Sequence, residues 1–545
     1  MRDYDVIVPN FCSGLGYGLT FREIATYGGS GGSHTLDAIA SGRHPPEVRR
    51  PRSRILRWIA AGCVALGIAL SPATRAADTD VIALRNVTVV DLESGQLLAG
   101  RTVVWARSRV VAVGKSEQVT PPAGAKQIDG KGRYLIPGLW DMHVHVHAKG
   151  DAALHTEKTV LPLFIAHGVT AVRDMSDEGG EDYRESAVPA KHRWDFEARA
   201  GLRIGPRIVA AATFAVDGPH GAEPSFLNAA TPEEARKLVR FFKDEGAADF
   251  IKVYSGIPRD AYFAFMHEAR RSGISVAGHK PLTVSFIEAA DAGQRSIEHA
   301  REILLDSFPG AEALQRSSSQ RNLPPARLSE ILAAHDPKML QAIFDAMIRN
   351  DTYYTPTHLT RLFDWKAAAN DRAYLDDPRL KLLTDAAQTA TAEDVARTQQ
   401  RASNAGDANI YRAYFEKGLQ VTGLAQQAGV NILAGTDAGD SYCFPGSGLH
   451  DELSWLVKAG LTPLQALRAA TVNPARYMGR VHDFVSIGAG KLADLVLLDR
   501  NPLEDIANVR TTHAVVMNGR MFERASIDRM KKDALAFAAS RASGL

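Results

Sequence analysis

Cysteine is scarce in this chain: only Cys12, Cys63 and Cys443 occur among 545 residues. No disulfide-stapled scaffold can be built from so few. An excess of charge of either sign is also missing. There are 64 Lys+Arg against 62 Asp+Glu, a net charge of +2, which gives no electrostatic reason to expect a nucleic-acid partner. Long apolar runs are missing as well. The run from Ile59 to Leu70 has 12 residues, short of the roughly 20 that span a bilayer. With 45% hydrophobic and 23% charged residues, wholesale disorder, a collagen-like repeat and a polytopic membrane protein are excluded. The length suits several small domains, or one large domain with an appendage.

The charge is unevenly spread. Residues 1–77 hold nine Lys/Arg and five Asp/Glu, so the remaining 468 carry a net −2. Arg49, Arg50, Arg52, Arg54 and Arg57 precede the apolar run, and Ser71-Pro-Ala-Thr-Arg-Ala-Ala77 follows it. A positive end, a short apolar core and a small-residue exit describe a secretory signal peptide over 48–77. The expected product is secreted and periplasmic, with no lasting membrane anchor. Cys63 lies in the signal core, so the processed chain keeps Cys443 alone. Residues 1–47, with Gly28-Gly-Ser-Gly-Gly-Ser33, read as an unstructured or non-native extension. Translation starting at Val48 would put the arginines at the chain's beginning.

Two β-rich regions flank the rest. Runs at 81–84, 87–90, 101–105 and 110–113 lie in the first, 78–136. Runs at 493–498 and 513–517, with a tight turn at Asn518-Gly519, lie in the second, 476–525. They are expected to pair into one small β-sandwich. Between them, 137–475 alternates. Strands are predicted at 139–146, 169–173, 207–212, 250–254, 274–279, 296–299, 352–357 and 431–437, with helices such as 232–245, 259–272 and 284–292 between them. Eight strands alternating with helices indicate an α/β fold, a (β/α)8 TIM barrel. The polar, helix-like stretch 358–429 is expected to form a lid or an edge of the pocket, and 526–545 a C-terminal helix.

The predicted strand ends carry chemistry. His143 and His145 close the first strand and face one side by strand parity. Lys252 lies on the fourth, His279 ends the fifth, His299 the sixth and Asp437 the eighth. In a barrel these ends ring one mouth. A single His-x-His means little in a chain with 17 histidines; six polar groups aimed into one opening mean more.

The ordered set closely resembles the amidohydrolase superfamily, in its binuclear-metal type with a lysine on strand four. The motifs are Ile136-Pro-Gly-Leu-Trp-Asp-Met-His-Val-His145, Val169-Thr-Ala-Val-Arg-Asp174, Ile251-Lys252-Val253, His279, Ser296-Ile-Glu-His299, Ala434-Gly-Thr-Asp-Ala438, Ala470-Thr-Val-Asn-Pro474 and Gly490-Lys-Leu-Ala-Asp-Leu-Val496. The likeness spans about residues 80–525 and is nearest to imidazolonepropionase-like proteins and metal-dependent Xaa-Pro dipeptidases. It implies two divalent ions, with zinc favoured by the imidazole and carboxylate ligands. His143, His145 and Asp437 would hold the more buried ion; His279 and His299 would hold the other. Lys252 would bridge them after carbon dioxide converts its amine to a carbamate, because an ammonium has no lone pair to offer. Two ions would polarise a carbonyl and generate hydroxide near neutral pH. Asp437 would move the proton from that water to the leaving nitrogen.

Tyr254 lies two residues after Lys252 and would hydrogen-bond the substrate carbonyl or the oxyanion, or else pack its ring at the rim. His220 and His358 are weaker candidates for substrate contact. Lys280, next to His279, and Arg301, two after His299, read as solvated cations, with a hold on a substrate carboxylate as the alternative. Glu298 is expected to point away from the pocket. The expected function is hydrolysis of C–N bonds in amides, cyclic amides or short peptides. Lactonases and phosphotriesterases share such a site but often lack the flanking sandwich. A mononuclear deaminase would have no use for Lys252, and a non-catalytic periplasmic binding protein would not need all six ligands. N-terminal sequencing of exported protein should begin at Ala77 or Asp78; a mature chain that keeps residues upstream of Val48 would contradict the leader reading.

Overall fold

Val81–Val90 is rich in β-branched residues, and such side chains suit a pleated, half-buried surface. In the computed structural model, which describes residues 81–175, 188–219, 226–316 and 323–542, this segment is a strand inside an eight-stranded sheet. The order runs Arg520–Glu523, Thr512–Met517, Leu495–Leu498, Tyr134–Pro137, Val81–Val90, Leu97–Ala106 and Arg109–Lys115. Lys126–Asp129 pairs in parallel with the first half of Val81–Val90. Antiparallel pairing from Leu495↔Pro137 to Leu498↔Tyr134 joins the two β-rich regions. Trp105 is fully buried in their common core with Leu84, Leu135, Leu495 and Val516. Its indole N–H donates to the Gly519 carbonyl at 2.9 Å. Asn518 and Gly519 both take positive φ, 50° and 82°, as the two-residue turn requires. The structure records one continuous sheet here, where the sequence suggested a two-layered sandwich.

The middle of the chain is α/β. Leu139–Val144, Val169–Asp174 and Arg207–Ala211 pair in parallel. A second parallel set runs Leu227–Asn228, Val216–Asp217, Phe250–Val253, Ser275–Gly278, Ser296–Glu298, Tyr353–Thr355. One backbone hydrogen bond, Asp249 N–H to Ala211 O (3.1 Å), links the sets on one side. Helices Pro232–Asp244, Arg259–Ser272 and Phe286–Asp291 alternate with these strands. Thr231 with Glu234, and Ser285 with Glu288, form capping boxes that satisfy the first orphan amides.

The eighth predicted strand departs from the regular pattern. Residues 431–437 make isolated parallel bridges, Tyr354↔Ile432 and, just beyond, Val144↔Ala438. Gly435 explains the close approach: a Cβ there would sit 2.6 Å from Thr355 Cγ2 and 2.8 Å from His143 Cβ. This segment therefore touches both Tyr353–Thr355 and Leu139–Val144. Residues 358–429 are mostly helical, with Asp385–Arg401 and Asp407–Ala428 the longest pieces. Helix Arg524–Ala542 closes the described chain. Among the described residues no helix is long and apolar enough to cross a membrane. The leader expected at 48–77 lies outside the described residues.

A buried ion pair ties the sheet to the parallel strands. Arg207, at the start of Arg207–Ala211, donates to Asp494, and its Nη2 also reaches Asn518 Oδ1 at 2.6 Å. Asp494→Ala would strand that guanidinium and should cost about 3–5 kcal/mol in urea unfolding. Lys126→Ala, at an ion pair with both side chains more than half exposed, should cost less than about 1 kcal/mol. Equal effects would contradict the structural role given to Arg207.

Candidate metal centre

The strand ends bring their polar side chains into one row. Ring centroids lie 5.6 Å apart for His145 and His143, 5.0 Å for His143 and His299, 4.4 Å for His299 and His279, and 4.1 Å for His279 and Tyr254. Asp437 faces the first three: its carboxylate lies 3.0 Å from His145 Nε2, 3.2 Å from His143 Nε2 and 3.6 Å from His299 Nδ1. All four histidines and the aspartate sit at the C-terminal ends of the parallel segments, or just beyond them.

Backbone conformation contributes. His299 and Asp437 have φ of +71° and +64°. Non-glycine residues rarely adopt such angles, and local strain of this kind clusters at functional sites. At His299 the turn also breaks strand parity. Glu298 is the last residue of Ser296–Glu298 and faces inward, fully buried. The turn then swings His299 inward too. The expectation that Glu298 points away from the pocket is thus corrected.

Each of three imidazoles is oriented by a partner on its Nδ1. Glu298 Oε2 lies 3.0 Å from His143 Nδ1, Glu302 Oε1 lies 2.7 Å from His279 Nδ1, and Thr357 Oγ1 lies 2.8 Å from His299 Nδ1. Glu298 is held by the buried Arg173, whose Nη2 donates to Oε1 at 2.9 Å. Arg173 also donates to Met142 O and to Tyr477. Such outer partners set the direction and basicity of a metal-ligating imidazole. Spacing alone did not reveal them; the Glu directly before His299 and the Glu three after it were the available signals.

The donor set fits a cation. His299 Nε2 is buried with no hydrogen-bond partner among the described residues, and His143 Nε2 meets only the Asp437 carboxylate. Buried polar atoms are rarely left so. Ligand atoms of His143, His299 and Asp437 all lie within 4.8 Å of one another, which suits a single divalent ion. Burial alone would raise the Asp437 carboxyl, yet His143, His145 and His299 hold it well below the usual carboxylate range. Burial, then the Lys252 charge, pushes His145 down to about 3, so its ring is neutral, as a ligand must be. Lys252 is 3% exposed and has no ion-pair partner among the described residues. Burial lowers its pKa against the pull of Asp437, Glu298 and Asp174.

The weaker candidates divide. Tyr254 packs its ring against His279 at the edge of the row, at an interplanar angle of 47°. His358 is fully buried against Phe415, and both its ring nitrogens lack a partner among the described residues. Burial holds it down at about 3. His220 lies outside the described residues. Lys280 is no solvated cation. It is 2% exposed, with Nζ donating to Val284 O at 2.8 Å and Pro281 O at 3.2 Å. Arg301 instead lines a cavity beside the row.

Comparison with known proteins settles the family, because a model described as the amidohydrolase family matches residues 134–522. The chain belongs to the amidohydrolase family. Membership implies a (β/α)8 barrel. It is similar to an imidazolonepropionase from Methylobacterium nodulans, 24% identical over 80% of this chain and 98% of that protein. It is also similar to adenine deaminase 3 from Rhizobium meliloti, 23% identical over 76% of this chain, but it spans only 54% of that protein. Among solved structures, a bottromycin amidohydrolase superposes with a TM-score of 0.63 at 25% identity, over 85% of this chain and 91% of that one. A putative prolidase from Bifidobacterium longum gives 0.57 at 24% identity, over 84% and 99%, and shows the fold alone.

The orienting role of Glu298 is open to measurement. Glu298→Gln should weaken metal affinity by about 10–100-fold in a chelator competition, with the far-ultraviolet circular dichroism unchanged. Unaltered affinity would remove Glu298 from the centre.

Proposed function

We propose that this amidohydrolase is a secreted, metal-activated enzyme that hydrolyses an amide bond in a small molecule or short peptide. The observation that carries the reading is the gathering of His143, His145, His279, His299 and Asp437 at strand ends beside the buried Lys252, which has no ion-pair partner among the described residues. In this reading His143, His145 and Asp437 would hold one ion, His279 and His299 a second, and Lys252 both. Zinc suits imidazole and carboxylate donors. Burial of Lys252 favours the neutral amine, whose lone pair can add to the carbon of carbon dioxide. Loss of the amine proton then leaves an anionic carbamate with two oxygen donors. The ions, when bound, would supply Lewis acidity and a water deprotonated near neutral pH.

The chain's own groups do the rest. Asp437, ionised at neutral pH, takes the proton of the attacking water and delivers it to the leaving nitrogen as the C–N bond breaks. Tyr254, packed against His279, donates its hydroxyl to the carbonyl oxygen as negative charge grows there. Glu298, Glu302 and Thr357 keep three imidazoles from turning. The relative named imidazolonepropionase and the bottromycin amidohydrolase support an amide in a small molecule or peptide. The adenine deaminase match supports a second reading, a deaminase with one ion and no part for Lys252. Export rests on the arginine-flanked apolar run before Ala77.

Protein stripped with a chelator should lose amide hydrolysis and regain it with two equivalents of zinc plus bicarbonate. Lys252→Ala should bind about one ion or none and stay inactive. Full activity with one equivalent, unaffected by Lys252→Ala, would favour the deaminase reading instead.

A further inference from the structure

The strand Arg207–Ala211 starts at the end of the parallel strands opposite the histidines. A cavity of about 380 Å³ opens there, with Arg207 in its wall. That volume falls within the roughly 300–1,000 Å³ of small-molecule sites. Other parts of the wall come from the end of the helix Val188–Arg199, the start of Arg109–Lys115 and the turn at Asn518. A ligand here would touch both the parallel strands and the eight-stranded sheet, far from the strand ends that carry the histidines.

Arginine dominates this cavity. Arg109, Arg199, Arg207 and Arg480 line it, and Asp483 alone among the described lining residues is acidic. Asp483 serves two of the four: Oδ1 accepts from Arg109 Nη1 at 3.1 Å, and Oδ2 accepts from Arg480 Nη2 at 2.8 Å. Burial would raise the Asp483 carboxyl, yet Arg480 and Arg109 hold it below the ordinary carboxylate range. Arg199 Nε donates to Asp195 at 2.8 Å, and Arg207 is held by Asp494. Four guanidiniums thus meet three carboxylates, which leaves one positive charge unmatched. Their donors are underused as well. Arg199 Nη1 and Nη2, Arg109 Nη2 and Arg480 Nη1 have no hydrogen-bond partner among the described residues. A guanidinium fork presents parallel N–H donors that match two oxygens of a carboxylate, sulfonate or phosphate.

Beside the cations the wall is apolar. Phe196 lies one turn before Ala200, and both line the cavity with Leu492. Phe196 is 58% exposed. An aromatic ring left in water at the rim of a cavity offers a flat face to an apolar group.

We propose that this cavity binds a small organic oxyanion, a carboxylate, sulfonate or phosphate carried on a flat apolar body, at a site separate from the metal centre. Arg199 and Arg480 hold the oxygens, and Phe196 covers the body. Arg207 and Asp494 keep their structural pairing underneath. Because its walls belong to both the sheet and the parallel strands, an occupied cavity ties the two together, and the folded chain gains stability with ligand concentration. The proposal is independent of which bond the metal centre hydrolyses.

The test is calorimetry of naphthalene-2-sulfonate, a weakly basic oxyanion on a flat body, with the metal-loaded full chain. A chelator-stripped sample and the variants Arg199→Gln, Arg480→Gln and Phe196→Ala accompany it. All three side chains are substantially exposed, so the variants should fold as the parent does. The parent should bind about one equivalent with a Kd below about 1 mM, and stripping the metal should leave that affinity unchanged. Each arginine variant should weaken binding by about 10–100-fold, and Phe196→Ala by about 3–10-fold. Sodium sulfate, which has the oxyanion without the body, should bind more weakly than the naphthalene compound. No saturable binding in this range, binding that disappears with the metal, or unchanged affinity in Arg199→Gln and Arg480→Gln would each overturn the site.

Discussion

Three backbone hydrogen bonds hold the ends of a long chain together at one place. Met142 donates to Ala434 O, Asp437 to His143 O and His145 to Ala438 O, at 2.8–2.9 Å. Beside them Asp141 accepts from the Thr436 hydroxyl at 2.6 Å and from its amide at 3.0 Å. These contacts bring Asp437 against two histidines almost 300 positions earlier. Without them the carboxylate would have no reason to sit 3.2 Å from the buried His143 Nε2. The other histidines are placed relative to this pair by the parallel strands between. Gly435 permits the approach, and the left-handed turn at Asp437 aims the side chain.

A cluster of this kind is costly without a cation. Among the described residues it has a buried His299 nitrogen with no hydrogen-bond partner, a buried carboxylate beside it and a buried lysine with no ion-pair partner. Each is unfavourable alone, since buried polar groups that lack a partner lose their hydration for nothing. The surrounding structure holds them rigidly all the same. Arg173 binds Glu298, which binds His143. Glu302 binds His279 and the Lys280 amide. Stability is given up locally so that the ligands are already aimed when a metal arrives.

Much of this was legible in the residues. Strand ends at His143, Lys252, His279 and His299 lie within one or two positions of where the alternation of β and helical patterns put them. The helix Arg259–Ser272 matched its expected bounds, because Gly273 in a left-handed conformation stops it. What escaped was what depends on tertiary geometry. Strand parity failed at Glu298, since His299 leaves the strand through a positive φ. Lys280 and Arg301, alike in sequence as cations after ligands, went opposite ways. One is tied to backbone carbonyls and the other lines a cavity formed with helices 60 and 100 residues on. Residues 431–437 were read as a strand by their apolar run, but the close passage at Gly435 leaves only isolated bridges.

Anomalous diffraction at the zinc edge from zinc- and bicarbonate-loaded crystals tests the central claim most directly. The account predicts two peaks about 3.5–4 Å apart. One should be bracketed by His143, His145 and Asp437, the other by His279 and His299, with density extending Lys252 Nζ between them. A single peak, with Lys252 unmodified and turned away, would contradict it.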